Sequence, residues 1–130
     1  MARILVVEDD QLVRGLIVEV LRASEYETLD FPDAGPALER VDFSTIDLIV
    51  SDLEMPTPGD LFVRTIRERG IDVPVVVVSG RLDSERQIYL ESLGVQGFVK
   101  KPFKLAELLG VVREWVTDED FSLENGIINN

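Results

Sequence analysis

The stretch DLIVSDLEMP, at residues 47–56, decides the fold of this chain. Residues 46–51 form a mostly apolar run without strict alternation, which is typical of a strand covered on both faces in a parallel sheet. Asp52 follows that run and therefore lies at the carboxyl end of the predicted strand. Since open parallel sheets bind their ligands at this edge, Asp52 is the first candidate for a functional residue.

Polar side chains follow three more apolar runs of this kind. The runs and the groups at their ends are 3–8 with Glu8-Asp9-Asp10, 73–78 with Ser79, and 95–100 with Lys101. Because parallel strands all point the same way, these groups are expected to share one edge of the sheet with Asp52. The sequence therefore predicts an acidic site that also contains one lysine and one hydroxyl.

Helical patterns alternate with the strand patterns. The predicted strands are 3–8, 26–31, 46–51, 73–78 and 95–100, and the predicted helices are 11–23, 34–41, 59–69, 84–93 and 103–117. Successive β-α units predict an α/β fold in which helices cover both faces of a parallel sheet. One domain over residues 1–117 accounts for all of them, and residues 118–130 are interpreted as an acidic tail or the stub of a linker.

Several details of the helices are specific enough to test. The apolar residues of the first helix have the spacing of one apolar stripe: Leu12, Leu16, Ile17, Val20 and Leu21. Asp10 and Asp83 are predicted to cap the first and fourth helices, and Gly70 is predicted to end the third. Pro102 is predicted to open the last helix, where a missing N–H costs little.

Composition excludes several classes of protein. The 130 residues include no cysteine and no histidine, which removes disulfides, thiolate chemistry, Ser-His-Asp triads and histidine-bound zinc. The net charge of −12 opposes direct binding to nucleic acid or to an anionic membrane. No apolar window approaches ~18 residues and the N-terminus lacks a signal-peptide layout, so a cytoplasmic protein without a membrane span is expected.

The predicted acidic site has a specific chemistry. Two carboxylates about 5 Å apart repel by roughly 3 kcal/mol at an effective dielectric near 20, so a cation or a lysine has to offset them. With oxygen ligands only, the cation expected at Glu8, Asp9 and Asp52 is Mg²⁺, with Mn²⁺ as an alternative. Such a cation beside Lys101 and Ser79 indicates phosphoryl transfer, with Asp52 as the nucleophile that becomes an acyl phosphate.

Each of these residues also has an ordinary structural explanation. Asp52 alone could be a turn former or a helix cap, Ser79 a turn residue and Lys101 a solvated lysine. The cluster Glu8-Asp9-Asp10 could simply favour the positive end of the first helix. It is the conjunction of these groups at successive strand ends that favours a shared site.

The chain resembles the receiver domain of two-component response regulators, from about residue 2 to residue 117. The matching segments are ILVVEDD at 4–10, DLIVSDLEMP at 47–56, VVSG at 77–80 and GFVKKPF at 97–103. Each motif is weak alone, but the four together in this order are specific to the family.

The resemblance implies a flavodoxin-like (βα)5 fold with strand order 2-1-3-4-5. It implies that Asp52 is the phosphoacceptor and that Lys101 pairs with the phosphate, in a Lys-Pro bond that is often cis in this family. The implied metal ligands are Glu8, Asp9, Asp52 and the backbone carbonyl of Glu54. The implied switch residues are Ser79 and Phe98.

The implied activity is signalling rather than classical enzymology. A partner histidine kinase or phosphotransfer protein would donate the phosphoryl group, and the receiver would promote that transfer and slowly dephosphorylate itself. Ser79 would then move towards the phosphate, Phe98 would turn, and the surface of the fourth helix, fifth strand and fifth helix would change for a downstream protein or output domain. Homodimerisation on phosphorylation is left open, as are the kinase and the output target.

A few positions depart from the commonest pattern of the family. The loop after Pro56 reads Thr57-Pro58-Gly59-Asp60 where Asp-Gly is usual, which leaves its backbone path open. Phe98 lacks the hydroxyl of a tyrosine, and Ser79 replaces a frequent threonine. Side chains at the positions of Glu54 and Arg81 tune phosphoryl lifetime in the family, in a direction that the sequence does not give.

Three rival functions stay open at this point. A Mg²⁺-dependent phosphatase also uses an aspartate nucleophile, but its usual Asp-x-Asp pair is missing because position 54 is Glu. A flavin-binding protein of the same fold would have a loop rich in Ser, Thr and Gly where Glu8-Asp9-Asp10 stands. A degenerate receiver would act as a constitutive protein-binding module without taking phosphate.

Overall fold

Strands and helices alternate along the chain, as the apolar patterns predict. The strands are β1 (Arg3–Val7), β2 (Glu27–Phe31), β3 (Leu48–Asp52), β4 (Val75–Ser79) and β5 (Gly97–Lys100). The helices are α1 (Gln11–Ala23), α2 (Ala34–Arg40), α3 (Gly59–Glu68), α4 (Ser84–Ser92) and α5 (Leu105–Trp115), with a 3-10 turn at Phe43–Thr45 before β3. This computed structural model describes residues 1–116, so the predicted tail at 118–130 lies outside the described residues.

The predicted elements are all present, with bounds shifted by at most two residues. The shifts matter at two places. Asp52 is the last residue of β3 and Ser79 is the last residue of β4. Both side chains are therefore held by strands rather than by the loops that follow.

The five strands form one parallel sheet in the order β2-β1-β3-β4-β5, which confirms the predicted flavodoxin-like topology. Val7 pairs with Ser51, and Asp52 pairs with Val78. This register aligns the ends of the strands. The strand ends and the loops after them form the carboxyl edge of the sheet, where functional side chains are expected.

Two apolar cores cover the two faces of the sheet. Ile49 and Val77 belong to the core shared with α2, α3 and α4, whereas Val50 and Val76 belong to the core shared with α1 and α5. Because successive strand residues point to opposite faces, a strand buried on both sides needs an uninterrupted apolar run. Every residue of β3 and β4 is buried, as those runs predict.

Only part of the predicted apolar stripe of α1 is buried. Ile17 and Leu21 are buried together with Val18, but Leu12 is 84% exposed and Leu16 is 44% exposed. The helical period defines an apolar arc, and the rotation of the helix against the sheet decides which part of that arc is covered. The first two leucines of α1 lie on its solvent side.

The start of α5 also differs from the prediction. Pro102 does not open this helix, because α5 begins at Leu105 with Lys104 as the N-cap residue. The N–H of Lys101 still donates to the carbonyl of Ser79 at 2.8 Å, so the chain leaves β4 only after this point and needs residues 102–104 to turn. The Lys101–Pro102 peptide bond is cis, as the family resemblance implies.

The helix ends follow the sequence signals. Asp10 accepts two backbone N–H groups at the start of α1, and Asp83 accepts one at the start of α4. Gly70, just after α3, has a φ of 77°, a left-handed conformation that glycine adopts without steric cost. Within residues 1–116, no helix combines the length and the apolar character that crossing a membrane requires.

Candidate active site

The carboxyl edge of the sheet holds the residues that the sequence singles out. Asp52 and Ser79 are buried at the ends of β3 and β4. Glu8, the first residue after β1, is buried as well, whereas Asp9 is exposed to solvent. Lys101, the first residue after β5, turns its ammonium group towards the carboxylates. The sheet thus brings together groups that are far apart in the sequence.

Lys101 is the cation at the centre of this group. Its Nζ lies 2.7 Å from Glu8 Oε1 and 3.4 Å from Asp52 Oδ2. Burial alone would lower the pKa of Lys101, but the carboxylates of Glu8 and Asp52 outweigh it, so the pKa is raised above its usual value. The lysine is therefore charged at neutral pH and able to neutralise an anion attached to Asp52.

The two oxygens of Asp52 have different surroundings. Oδ1 accepts hydrogen bonds from the backbone N–H groups of Leu53 at 2.8 Å and Glu54 at 3.3 Å. Oδ2 faces Lys101. Burial, followed by the nearby carboxyl groups of Glu54 and Glu8, raises the pKa of Asp52 to about 8. The main chain thus fixes Oδ1, and Oδ2 is the oxygen presented to a reactant or a cation.

Glu8, Asp9 and Asp52 are placed to hold a metal ion. One carboxylate oxygen from each residue lies within 4.8 Å of the other two. Among the described residues, Glu8 Oε1 has its ion pair with Lys101 but no partner in hydrogen-bonding geometry. Lys101 already pairs with this oxygen at 2.7 Å, but three carboxylates around one lysine leave an excess of negative charge that a further cation would offset. An all-oxygen ligand set suits a hard divalent cation.

The side chain of Glu54 also enters the site, at a position that the family resemblance links to phosphoryl lifetime, but its contact with Ser79 was not predicted. The Ser79 hydroxyl donates to this carboxylate, with Oγ 2.8 Å from Oε1 and 2.9 Å from Oε2. The carboxyl groups of Glu54 and Asp52 also lie close enough for each to shift the pKa of the other. Burial would raise the pKa of Glu54, but the hydrogen bonds with Asp52 and Ser79 prevail and lower it. The only sequence signal for this contact is the position of Glu54, two residues after Asp52.

The two predicted switch residues lie on the same side of the sheet. Phe98 on β5 pairs with Val77 on β4. Ser79 lies two residues after Val77 and therefore on the same face of the sheet. The Phe98 ring is half-buried and packs against the core shared with α2, α3 and α4. The Ser79 hydroxyl accepts a hydrogen bond from the N–H of Arg81 at 3.0 Å while it donates to Glu54.

The loop after Asp52 follows a path that two contacts fix. Thr57 donates through its N–H and its hydroxyl to Asp33, at 2.8 and 2.7 Å. Burial would raise the pKa of Asp33, but these hydrogen bonds outweigh it and lower the pKa. A Cβ at Gly59 would lie 2.3 Å from the Asp52 carbonyl oxygen, so only glycine fits where α3 begins. The unusual sequence of this loop therefore leaves Asp52 at the end of its strand.

Comparison with known proteins places this arrangement in a family. The family model of the response regulator receiver domain matches residues 4–113. The sensor histidine kinase TmoS of Ectopseudomonas mendocina is 35% identical over 109 residues, which are 82% of this chain and 11% of that protein. The chain spans about half the length, or less, of the curated relatives it matches, whose names include sensor kinases and transcriptional regulators.

Solved structures share the fold. The chemotaxis protein CheY4 of Vibrio cholerae aligns with a TM-score of 0.83 at 26% identity, over 89% of this chain and 99% of that chain. The response regulator TrrA of Thermotoga maritima, solved in complex with Mg²⁺ and BeF, gives a TM-score of 0.78 at 29% identity, over 89% of this chain and 100% of that chain. Because the family model covers most of the sequence and the fold agrees, this chain belongs to the response regulator receiver domains, the signalling modules of two-component systems.

Proposed function

We propose that Asp52 of this receiver accepts a phosphoryl group from a phosphohistidine on a partner histidine kinase or phosphotransfer protein. The observation that carries the proposal is the approach of Lys101 Nζ to Asp52 Oδ2, at 3.4 Å, beside the carboxylates of Glu8 and Asp9. Phosphoryl transfer asks little covalent chemistry of a protein and depends on positioning and on charge neutralisation. This edge of the sheet offers both.

The transfer exchanges one bond to phosphorus for another. Asp52 attacks the phosphorus through Oδ2 in its ionised form, which the charge of Lys101 favours, and the new O–P bond forms as the P–N bond to the donor imidazole breaks. The electron pair of the broken bond stays on the imidazole of the partner. Lys101, already beside Oδ2, pairs with an oxygen of the incoming group. The backbone N–H groups that hold Oδ1 keep the carboxylate turned for this attack.

We assign the metal ligands to Glu8, Asp9, Asp52 and the backbone carbonyl of Glu54, and expect Mg²⁺, with Mn²⁺ as a substitute. When bound, the cation offsets the negative charge of the carboxylates and of the phosphoryl oxygens. Support comes from the clustered carboxylates of Glu8, Asp9 and Asp52, which a single lysine does not balance. It also comes from the similar protein TrrA, which was solved with Mg²⁺ and BeF.

Ser79 and Phe98 sense the phosphoryl group in this proposal. Phosphorylation adds roughly one to one and a half negative charges and three strong acceptors at Asp52. Ser79 turns towards a phosphoryl oxygen, and Phe98, on the same side of the sheet, moves beneath the loop after β4. The surface of α4, β5 and α5 changes for a downstream protein or output domain. Such a switch takes roughly 5 kcal/mol, which a charged phosphate paired with Lys101 can supply.

The extent and setting of the protein belong to the same proposal. The receiver domain takes in residues 1–117, and residues 118–130 are an acidic tail or linker. The domain works in the cytoplasm, loses its phosphoryl group by slow self-catalysed hydrolysis and does not bind nucleic acid directly. The rival functions have less support, since the acidic set is complete and the side chain at position 54 is engaged with Ser79.

Labelling with acetyl phosphate and Mg²⁺ tests the phosphoacceptor. The wild-type protein is expected to take a single phosphoryl group, and Asp52→Asn is expected to take none, as measured by intact mass spectrometry. Asp72→Asn is the matched control, because it makes the same change at an exposed aspartate beyond α3. Full labelling of Asp52→Asn at another residue would show that the assignment is wrong.

A further inference from the structure

The Glu54 carboxylate occupies the hydrogen-bonding position at Ser79 that a phosphoryl group would use. Ser79 Oγ lies 2.8 Å from one oxygen of Glu54 and 2.9 Å from the other. The same Oγ accepts the N–H of Arg81 at 3.0 Å. A serine hydroxyl has a single O–H to donate. In this arrangement Ser79 has no donor left for an oxygen of phosphorylated Asp52.

Glu54 and a phosphoryl group cannot share the hydroxyl. Both are negatively charged, and the carboxyl groups of Glu54 and Asp52 already lie close enough for each to shift the pKa of the other. A phosphoryl group on Asp52 would enter the same small volume. Like charges that close repel strongly where protein rather than water surrounds them, as it does at buried Asp52 and Ser79.

The Glu54 side chain has a way out of the site. Glu54 is an exposed residue, unlike Asp52 and Ser79, so its side chain reaches Ser79 from the solvent side. Arg86, in the first turn of α4, attracts this carboxylate electrostatically. If Glu54 leaves Ser79, its carboxylate can therefore be solvated by water and stabilised by the charge of Arg86.

We infer that the Glu54 carboxylate is a resident competitor of the phosphoryl group for the Ser79 hydroxyl. It holds Ser79 in the unphosphorylated arrangement and has to leave before Ser79 donates to a phosphoryl oxygen. The inference rests on the proposed function of Asp52 and adds a regulatory contact within the same site. Glu54 is a positioning residue in this role, because it acts through Ser79.

A double-mutant cycle tests the competition. Wild type, Glu54→Ala, Ser79→Ala and the double variant are labelled with acetyl phosphate in excess Mg²⁺, and the rate of labelling is followed by mass spectrometry with peptide mapping. Glu54→Ala is expected to raise the rate about fivefold, because it releases a hydrogen bond to a charged group. In the Ser79→Ala background the same change is expected to alter the rate less than about twofold, because the contested hydroxyl is gone.

Two more variants separate competition from the loss of charge alone. Glu85→Ala removes an exposed carboxylate next to Arg86 that makes no hydrogen bond to Ser79, and it is expected to leave the rate within about twofold. Glu54→Gln keeps an acceptor for Ser79 without the charge, so its rate is expected to fall between those of wild type and Glu54→Ala.

The outcomes separate this inference from the proposed function. Equal rates for wild type and Glu54→Ala, or a full gain that persists without Ser79, would overturn the competition while a label mapped to Asp52 leaves its role as phosphoacceptor intact. If the variants and the wild type are folded, as checked by circular dichroism, and none of them takes a label at Asp52, both the competition and the proposed function would be overturned.

Discussion

The two ends of the sheet use similar side chains in opposite ways. At the amino end, where the strands begin, the Asp47 carboxylate accepts the N–H of Arg3 at 2.7 Å. At the same end, the Arg67 guanidinium donates three hydrogen bonds to backbone carbonyls. Each of these charged groups serves to hold main chain in place, so this end of the sheet contributes stability.

The charges at the carboxyl edge do not balance. Four carboxylates gather there, from Glu8, Asp9, Asp52 and Glu54, and within residues 1–116 only Lys101 forms an ion pair with them. Glu8 and Asp52 are buried, and burying two carboxylates beside a single lysine costs free energy unless a ligand compensates it. The comparison indicates that one end of the sheet stabilises the fold and that the other is kept destabilised for binding.

Breaking the amino end should have the largest effect on stability. Arg67→Met removes the donors to the carbonyls of Ile71, Val73 and Gly94, now 2.8 to 2.9 Å from the guanidinium, and leaves these part-buried oxygens without a partner. The free energy of unfolding, measured with urea, is expected to fall by about 3 kcal/mol. Arg64→Met, at an exposed position of the same helix, is the control and is expected to change it by less than about 0.5 kcal/mol. Equal losses in the two variants would contradict the stabilising role of the amino end.

Neutralising Asp52 should have the opposite sign and stabilise the protein. Its pKa is raised from 3.8 to about 8 on folding, so the folded state binds more protons than the unfolded state between these values. Stability of the wild type, without divalent cations, therefore falls as the pH rises from about 4 to about 8. Asp52→Asn lacks this titration and is expected to be more stable than wild type near the upper value.

Urea denaturation in EDTA across this pH range measures the effect. The difference between Asp52→Asn and wild type is expected to close as the pH falls below about 4, where Asp52 becomes protonated in the unfolded as well as in the folded state. A difference that stays constant with pH would mean that the substitution acts through packing rather than through charge.

Adding Mg²⁺ should compensate the carboxyl edge, with the smallest effect of the three. At a free Mg²⁺ concentration about ten times the Kd, wild type is expected to gain about 1.4 kcal/mol of stability. Glu8→Gln is expected to lose most of that gain, because it removes a buried ligand oxygen. Arg67→Met, changed at the other end of the sheet, should keep it. NaCl at equal ionic strength is the control, and a full gain in Glu8→Gln would place the cation elsewhere.

Features that depend only on the order of elements were predictable from the sequence. Parallel strands bring their last residues to one edge whatever the loops do, so apolar runs were enough to predict that Asp52, Ser79 and Lys101 meet. The roles of these residues in phosphoryl transfer stay predictions for the experiments above. The helix caps at Asp10 and Asp83 were equally local, since a side chain there reaches backbone N–H groups only a few residues away.

Features that depend on rotation or on loop path were not predictable. Leu12 and Leu16 have the spacing of buried residues, but the rotation of α1 about its axis leaves them exposed. Pro102 has the chemistry of a helix start, but continued pairing of the chain with β4 delays α5. The contact between Glu54 and Ser79 joins a loop to a neighbouring strand through one rotamer, and no sequence pattern encodes a rotamer.

The loop that begins at Asp52 is closed at its base and tethered at its tip. The N–H of Gly59 donates to the carbonyl of Leu53 at 3.0 Å, and the missing side chain of Gly59 lets the backbone lie against Asp52. Thr57, at the tip, is held separately by Asp33. Because the base of the loop is fixed by these contacts, the position of the Asp52 carboxylate does not depend on the sequence at the tip of the loop. Residues 56–58 can therefore vary in evolution, or be changed in the design of a biosensor, if another contact replaces the one between Thr57 and Asp33. The Asp52 carboxylate, the proposed phosphoacceptor, stays in place.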